Sequence, residues 1–187
     1  MFCNSTQCLI NLFLKMEDTA ALIKKNILNF GIILGIVSVL FGVILYVTDN
    51  HTEQNWITSV IGITILSVCI ALGIKSFKKG NNHLLSLSQA LKVGIGISLI
   101  GAIITAIWTI VLMTVLEPNM VEQIIEVAQE KMIEKDPNMT DSQIEMATSM
   151  IRKFTSPGIN SAIIIITNLF LGLIISVIAG WIMKKED

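Results

Sequence analysis

The sequence predicts an all-α integral membrane protein. It reads as an antiparallel four-transmembrane-helix bundle, with an outer amphipathic helical hairpin between spans 3 and 4. Three observations carry this expectation. Of the 187 residues, 53% are hydrophobic and 14% charged, against about 25% charged in soluble domains, and the mean hydropathy is +0.74. Four apolar runs without a charge occur at 30–47, 56–74, 93–116 and 162–183. Each approaches the roughly 20 residues that cross a hydrocarbon core of about 30 Å. The long polar interval 117–161 carries helical periodicity. Residues 1–26 read as a cytoplasmic segment and 27–187 as one membrane domain.

The first run follows Lys24 and Lys25, as the apolar part of a signal peptide would. It exceeds the usual stretch of about 7–15 residues, and no A-x-A site follows, so it reads as a retained anchor. The preceding MFCNSTQCLINLFLK has neither a signal architecture nor the length of a span. The mature start is therefore expected at Met16. Residues 1–15 are expected to lie apart from the bundle, with 8–14 as a short interfacial helix.

The loops set the sidedness. One side collects nine basic residues, Lys15, Lys24, Lys25, Lys75, Lys78, Lys79, Lys92, Lys184 and Lys185. The other has four, Lys131, Lys135, Arg152 and Lys153. The acids run the opposite way, four inside and ten outside, leaving +5 against −6. Cytoplasmic loops keep the excess of Lys and Arg, so both termini are expected in the cytoplasm and 117–161 outside. Tyr46 and Trp56 at the outer boundary and Trp181 at the inner one fit an aromatic belt. A net charge of −1 gives no electrostatic footprint for nucleic acid.

Ser86 and Gln89 stand in capping-box relation at the start of a helix that should run to Leu116. At 1.5 Å per residue those 30 residues would cover about 45 Å, so the first turns belong to the cytoplasmic headgroup zone and Lys92 marks the entry into lipid. Small residues then form a stripe, Gly94, Ser98, Gly101, Ala102, Thr105 and Thr109. Gly31 and Gly35 in the first span, and Gly172, Ser176 and Gly180 in the fourth, repeat the device. In lipid, where apolar burial no longer drives association, such stripes let helix backbones approach closely.

In the outer segment, Asn119 and Glu122 predict a second capping box, and Thr140 and Gln143 a third. Apolar positions Val121, Ile124, Ile125, Ala128 and Met132 define one helix face, and Ile144, Ala147, Ile151 and Phe154 the other. Asp136, Pro137 and Asn138 separate the two helices, and Pro157 with Gly158 closes the pair. Ile124, Ile125 and Ala128 are expected to pack on Ile144, Ala147 and Ile151. A net −4 over this segment argues against adsorption to anionic lipid. Glu122, Glu126, Glu130 and Glu134 form a row at i,i+4 spacing with no Lys or Arg three or four residues later. Like charges so placed repel mildly. The row reads as a solvated face, with relief by a cation or a basic partner as the alternative. Five methionines here read as adaptable packing before copper ligands.

Ser88, Gln89, Ala90, Lys92 and Gly94 at the entry to the third span, Glu117 and Pro118 at its exit, and FTSP at 154–157 carry a resemblance. The chain resembles the domain of unknown function 4199 family over roughly 27–185, nearly the whole domain. The resemblance implies four spans in the inner (cytoplasmic) membrane of Bacteroidota-type bacteria and assigns no activity, so no catalytic residue is carried over. The first fifteen residues depart from the family's usual short N-terminus.

An enzyme needs converging nucleophiles, bases or metal ligands. The two histidines, His51 and His83, fall on opposite sides of the membrane by the charge bias, and no hydrolase, zincin or P-loop pattern is present. Cys3, Cys8 and Cys69 have no metal-ligand company. No catalytic residue, metal or cofactor is expected. A transporter usually keeps ionisable groups near the midplane, whereas these spans offer Thr64, Ser67, Thr105, Thr109, Thr167 and Asn168. Asn168 and Thr109 lie at matching depth and are expected to hydrogen-bond between spans. By elimination, the expectation is an accessory or interaction protein binding a membrane or periplasmic protein through its hairpin or lateral faces. The alternative is a small permease or channel with a polar path near Asn168 and Thr109.

Overall fold

A computed structural model describes residues 5–48 and 56–184, with side chains described from Met16 onward. Six α-helices follow one another among these residues: α1 Ser5–Val47, α2 Trp56–Gly80, α3 Leu87–Val111, α4 Met120–Lys135, α5 Asp141–Thr155 and α6 Pro157–Met183. Helices α1, α2, α3 and α6 are long and apolar enough to cross a membrane, and α4 and α5 form the hairpin between the third and fourth. Their outward faces are continuous hydrocarbon, with Leu40, Ile107, Ile166 and Phe170 all more than half exposed. That is the surface a lipid-solvated bundle needs, and helices suit it because they satisfy their interior backbone polar groups themselves.

Each span extends beyond its apolar run. Helix α1 begins at Ser5 and is unbroken to Val47, so the short, separate helix expected over 8–14 is instead the first turns of α1. Nothing at 5–15 breaks the pattern, since that stretch lacks Gly and Pro. Helix α6 begins at Pro157, five residues ahead of the expected span. Proline at the first helical position loses no hydrogen bond, because that N–H has no intrahelical partner. Helix α3 ends in a π-helical turn, Leu112–Leu116, in which Glu117 N–H reaches back five residues to Leu112 O at 2.8 Å. Pro118 follows and has no N–H with which to continue the helix.

Helix α3 sits in the middle, packed on α1 and α6, while α2 bridges α1, α3 and α6 across one side. The small residues make this possible. Cβ atoms added to Gly31 and Gly35 would strike Ile100 and Ile104, and one on Gly101 would strike Leu34, so α1 and α3 meet backbone to side chain. Gly94, Gly172 and Gly180 do the same between α3 and α6. The glycines and serine of the expected stripe, Gly94, Ser98 and Gly101, thus form the α1–α3–α6 seam. In the half of the bundle that holds the α2–α3 turn, Ile70, Ile74, Phe77, Leu85, Val93 and Ile97 are fully buried in one cluster.

The α2–α3 turn closes that end. Asn82 and His83 adopt left-handed backbone, φ 53° and 64°, which Asn and His tolerate better than most residues. The Ser86–Gln89 capping box forms as expected, with Ser86 N–H donating to Gln89 Oε1 at 3.0 Å and Gln89 N–H to Ser86 Oγ at 3.3 Å. Lys78 donates to Met183 O at 2.8 Å and so caps the C-terminus of α6, where a cation is favoured. His51 lies outside the described residues.

Candidate functional site

At the opposite end of the bundle the helices part. Helix α2 has no buried residue before Leu66, and a Cβ on Gly62 would meet nothing within 4 Å. The gap is a cavity of about 530 Å³ to which all four spans contribute, including Ser38 and Gly42 of α1, Thr105, Trp108 and Thr109 of α3, and Thr167 and Asn168 of α6. Its size falls in the usual range of small-molecule sites, about 300–1,000 Å³. Its lining residues carry no formal charge. Towards the other end it stops at Leu66 and Leu171, which belong to or pack against the buried cluster.

The roof comes from the hairpin. Met120, the first residue of α4, lines the cavity and packs with Leu112 and Met113, against which Tyr46, Trp108, Val121 and Ile124 rest. The π-helical turn puts Leu112 and Met113 into this cluster, both nearly fully buried. Asn160 Nδ2 donates to Met113 Sδ at 3.6 Å. Such a π turn, a known marker of functional positions, has no sequence signal beyond the Pro118 that follows it.

Asn168 and Thr109 both line the cavity, so the depth match holds, but they do not bond to each other. Asn168 Nδ2 donates to Ile164 O of its own helix at 2.9 Å, and Thr109 Oγ1 donates to Thr105 O at 3.0 Å. The expected interhelical bond is therefore replaced by two intrahelical ones. Residue counting gives depth along a helix but not rotation about its axis, and the cavity separates the two helix faces.

The acidic row divides into one paired and three unpaired carboxylates among the described residues. Glu122 accepts a hydrogen bond from Arg152 Nη1 at 2.6 Å, joining α4 to α5 across the hairpin. Arg152 holds the Glu122 carboxyl below the usual carboxylate range, with its own backbone N–H adding to the effect. The partner lies 30 residues away, so a search three or four residues ahead could not find it. Glu126, Glu130 and Glu134 are exposed and unpaired among the described residues. No group of three or more His, Cys, Asp or Glu converges as a metal site among the described residues.

The Asn119–Glu122 capping box does not form, because Asn119 makes no side-chain cap bond and Glu122 is turned to Arg152. Gln123 instead bonds Glu117 Oε1 at 2.9 Å. The Thr140–Gln143 box does form, with Thr140 N–H donating to Gln143 Oε1 at 2.9 Å. Gln129 Nε2 reaches Thr148 Oγ1 at 3.1 Å as a second tie across the hairpin. Ile125 is buried and Ile144, Ala147 and Ile151 half-buried, while Ile124 packs on the bundle mouth. Phe154, expected on the packed face, is 56% exposed, beside Met146 at 65% and Met150 at 56%.

Most of the cavity wall was not singled out by sequence reasoning, Ser38 and Trp108 among it. Ser38 looks like any helix serine, and Trp108 looks like one more apolar residue of a long run. The available signal was the depth of Trp108, away from the boundary where Trp usually sits, since a buried indole N–H seeks a partner.

No curated protein and no solved structure matches the chain. The family model described as a protein of unknown function, DUF4199, matches residues 29–185, covering all four apolar spans, the hairpin and every residue of the cavity. With its four spans, its hairpin and that match, the chain belongs to the DUF4199 family of proteins of unknown function.

Proposed function

We propose that the protein is a non-catalytic accessory protein of the bacterial cytoplasmic membrane that binds a membrane or periplasmic protein through its outer hairpin. Both termini then face the cytoplasm and 117–161 the periplasm, a placement supported by the +5 against −6 charge bias. The observation that carries the reading is on α5. Met146, Met150 and Phe154 recur every four residues, so they share one side of the helix. All three are more than half exposed. Helix α4 covers only the neighbouring face, where Ile144, Ala147 and Ile151 lie. A row of exposed methionines and an aromatic on a helix outside the bundle is the composition of an adaptable contact surface.

A photo-reactive amino acid placed at Met150 tests this in native membranes, with Glu130 on α4 as the control position. A discrete protein adduct from position 150 and none from 130 is the expected result. Adducts to lipid alone, or equal adducts from both positions, would contradict it.

The permease reading is favoured by one observation, the cavity at Asn168 and Thr109. Against it stand the absence of charge from the four apolar runs and the fully buried Ile70, Ile74 and Ile97 beneath the cavity. Reconstituted liposomes that pass solutes faster than empty ones would reverse this order.

A further inference from the structure

The walls of the outer cavity carry hydrogen-bonding groups that no described residue satisfies. Ser38 is half-buried, and its hydroxyl has no hydrogen-bond partner among the described residues. The same holds for the indole N–H of half-buried Trp108. A Cβ on Gly42 would meet Trp108 Nε1 at 2.8 Å, so the N–H edge of the indole lies against α1 where only glycine leaves room. Ser38 sits one turn before Gly42 on the same helix face. Asn168 gives one amide hydrogen to Ile164 O, and its side-chain oxygen has no donor among the described residues. Thr105 and Thr109, in contrast, have committed their protons to their own helix.

The indole offers a donor, the Asn168 oxygen an acceptor, and Ser38 either. Within a membrane span such groups are costly to leave unpaired, so the cavity favours an occupant that pairs them. The rest of the wall is mostly apolar, with Phe41, Leu45, Leu66 and Leu171, and Ser59, Asn160 and Thr167 add polar groups around it. With no charged lining residue, neither an ion nor a charged headgroup finds a counter-charge. A group that both donates and accepts, carried on an apolar body, matches the set.

We propose that the outer cavity binds an uncharged amphiphile headed by a hydroxyl group, an alcohol, whose oxygen accepts from Trp108 and whose hydrogen goes to Ser38 or Asn168. The apolar body lies along Phe41, Leu66 and Leu171. This site is separate from the α5 contact surface, so the two readings stand or fall independently. The alcohol arrives either from the bilayer, as a long-chain species, or from water, as a short one.

The test uses the full chain in phosphatidylcholine nanodiscs, with Trp56→Phe and Trp181→Phe leaving Trp108 as the sole tryptophan. Its fluorescence is followed against 1-dodecanol, dodecyl methyl ether and 1-hexanol. An alcohol should give a saturable shift, with half-saturation about fivefold or more below that of the ether, which can accept but not donate. Saturation by dodecanol alone assigns a bilayer source, and by hexanol a water-borne one. Ser38→Ala combined with Asn168→Leu, which removes both acceptors, should weaken the alcohol by a similar factor. Gly62→Phe, on the wall position where a side chain meets no atom, should abolish saturation while circular dichroism stays unchanged. An unsaturable shift equal for alcohol and ether, or one that persists in folded Gly62→Phe, means that solvent or bulk lipid fills the cavity and overturns the proposal.

Discussion

Ser98 of α3 and Ser176 of α6 exchange places across the helix seam: the Ser98 hydroxyl lies against the Cβ position of Gly172, and the Ser176 hydroxyl against that of Gly94. Both serines are fully buried, and each hydroxyl donates to the carbonyl four residues earlier in its own helix, Gly94 and Gly172. The polar atoms are thus satisfied locally, and each serine acts toward the other helix as a small knob over a glycine. Association rests on close packing, the force that remains available between helices in lipid.

It follows that the glycines matter more than the hydroxyls. Gly94→Leu places a side chain on Ser176 and should cost about 1–3 kcal/mol, the usual range for overpacking. Ser98→Ala removes only an intrahelical bond and should stay within about 0.6 kcal/mol. Reversible unfolding in mixed micelles measures both. Equal losses for the two would mean that the serines bond between helices.

Asn168→Leu should be close to neutral for the same reason. Its amide bonds its own helix, so its loss leaves no orphan on a neighbour. A change beyond about 1 kcal/mol in the same assay would restore an interhelical partner, since measured membrane hydrogen bonds average about 0.6 kcal/mol.

The hairpin should loosen in acid through one carboxylate. Glu122 has a depressed pKa because of Arg152. Its contribution is full above the ordinary carboxylate value and is lost as pH falls through the depressed one. Spin labels at Gln123 and Ser149 should report a wider distance distribution in that acid window. Glu122→Gln should show the wide distribution at neutral pH already. A distribution unmoved by either change would exclude a role for this pair, which is half exposed and weak by nature.

Ser86→Ala should cost about 1 kcal/mol, the usual loss of an N-cap. The readout is amide exchange at 87–90, the first turn of α3, and unchanged protection there would contradict the cap.

Much of this architecture was legible in the residues. The four spans follow from length and apolarity, the α3 cap from Ser86 and Gln89, and the seam from glycines and serines spaced along three helices. What stayed hidden depends on azimuth and distance. Thr109 and Asn168 share a depth but bond to their own helices, Glu122 finds Arg152 across the hairpin, and Gly62 borders empty space. The cavity is a place where side chains fail to meet, for which a sequence has no residue to show. Ser38 and Trp108 gain meaning only once Gly42 brings them to one wall.

The bundle is sealed in the half that holds the α2–α3 turn and open beneath the hairpin, and by the proposed orientation the sealed half faces the cytoplasm. Cysteine accessibility tests it most directly. With Cys3 and Cys8 replaced by serine, native Cys69 reports the sealed half, where it is buried. Ser149→Cys reports the hairpin, Thr167→Cys the cavity and Asn82→Cys the α2–α3 turn. A membrane-impermeant maleimide applied to intact spheroplasts should label positions 149 and 167, reach 82 only after permeabilisation, and leave Cys69 unmodified throughout. Labelling of 82 in intact spheroplasts, or of Cys69 from either side, would contradict the account.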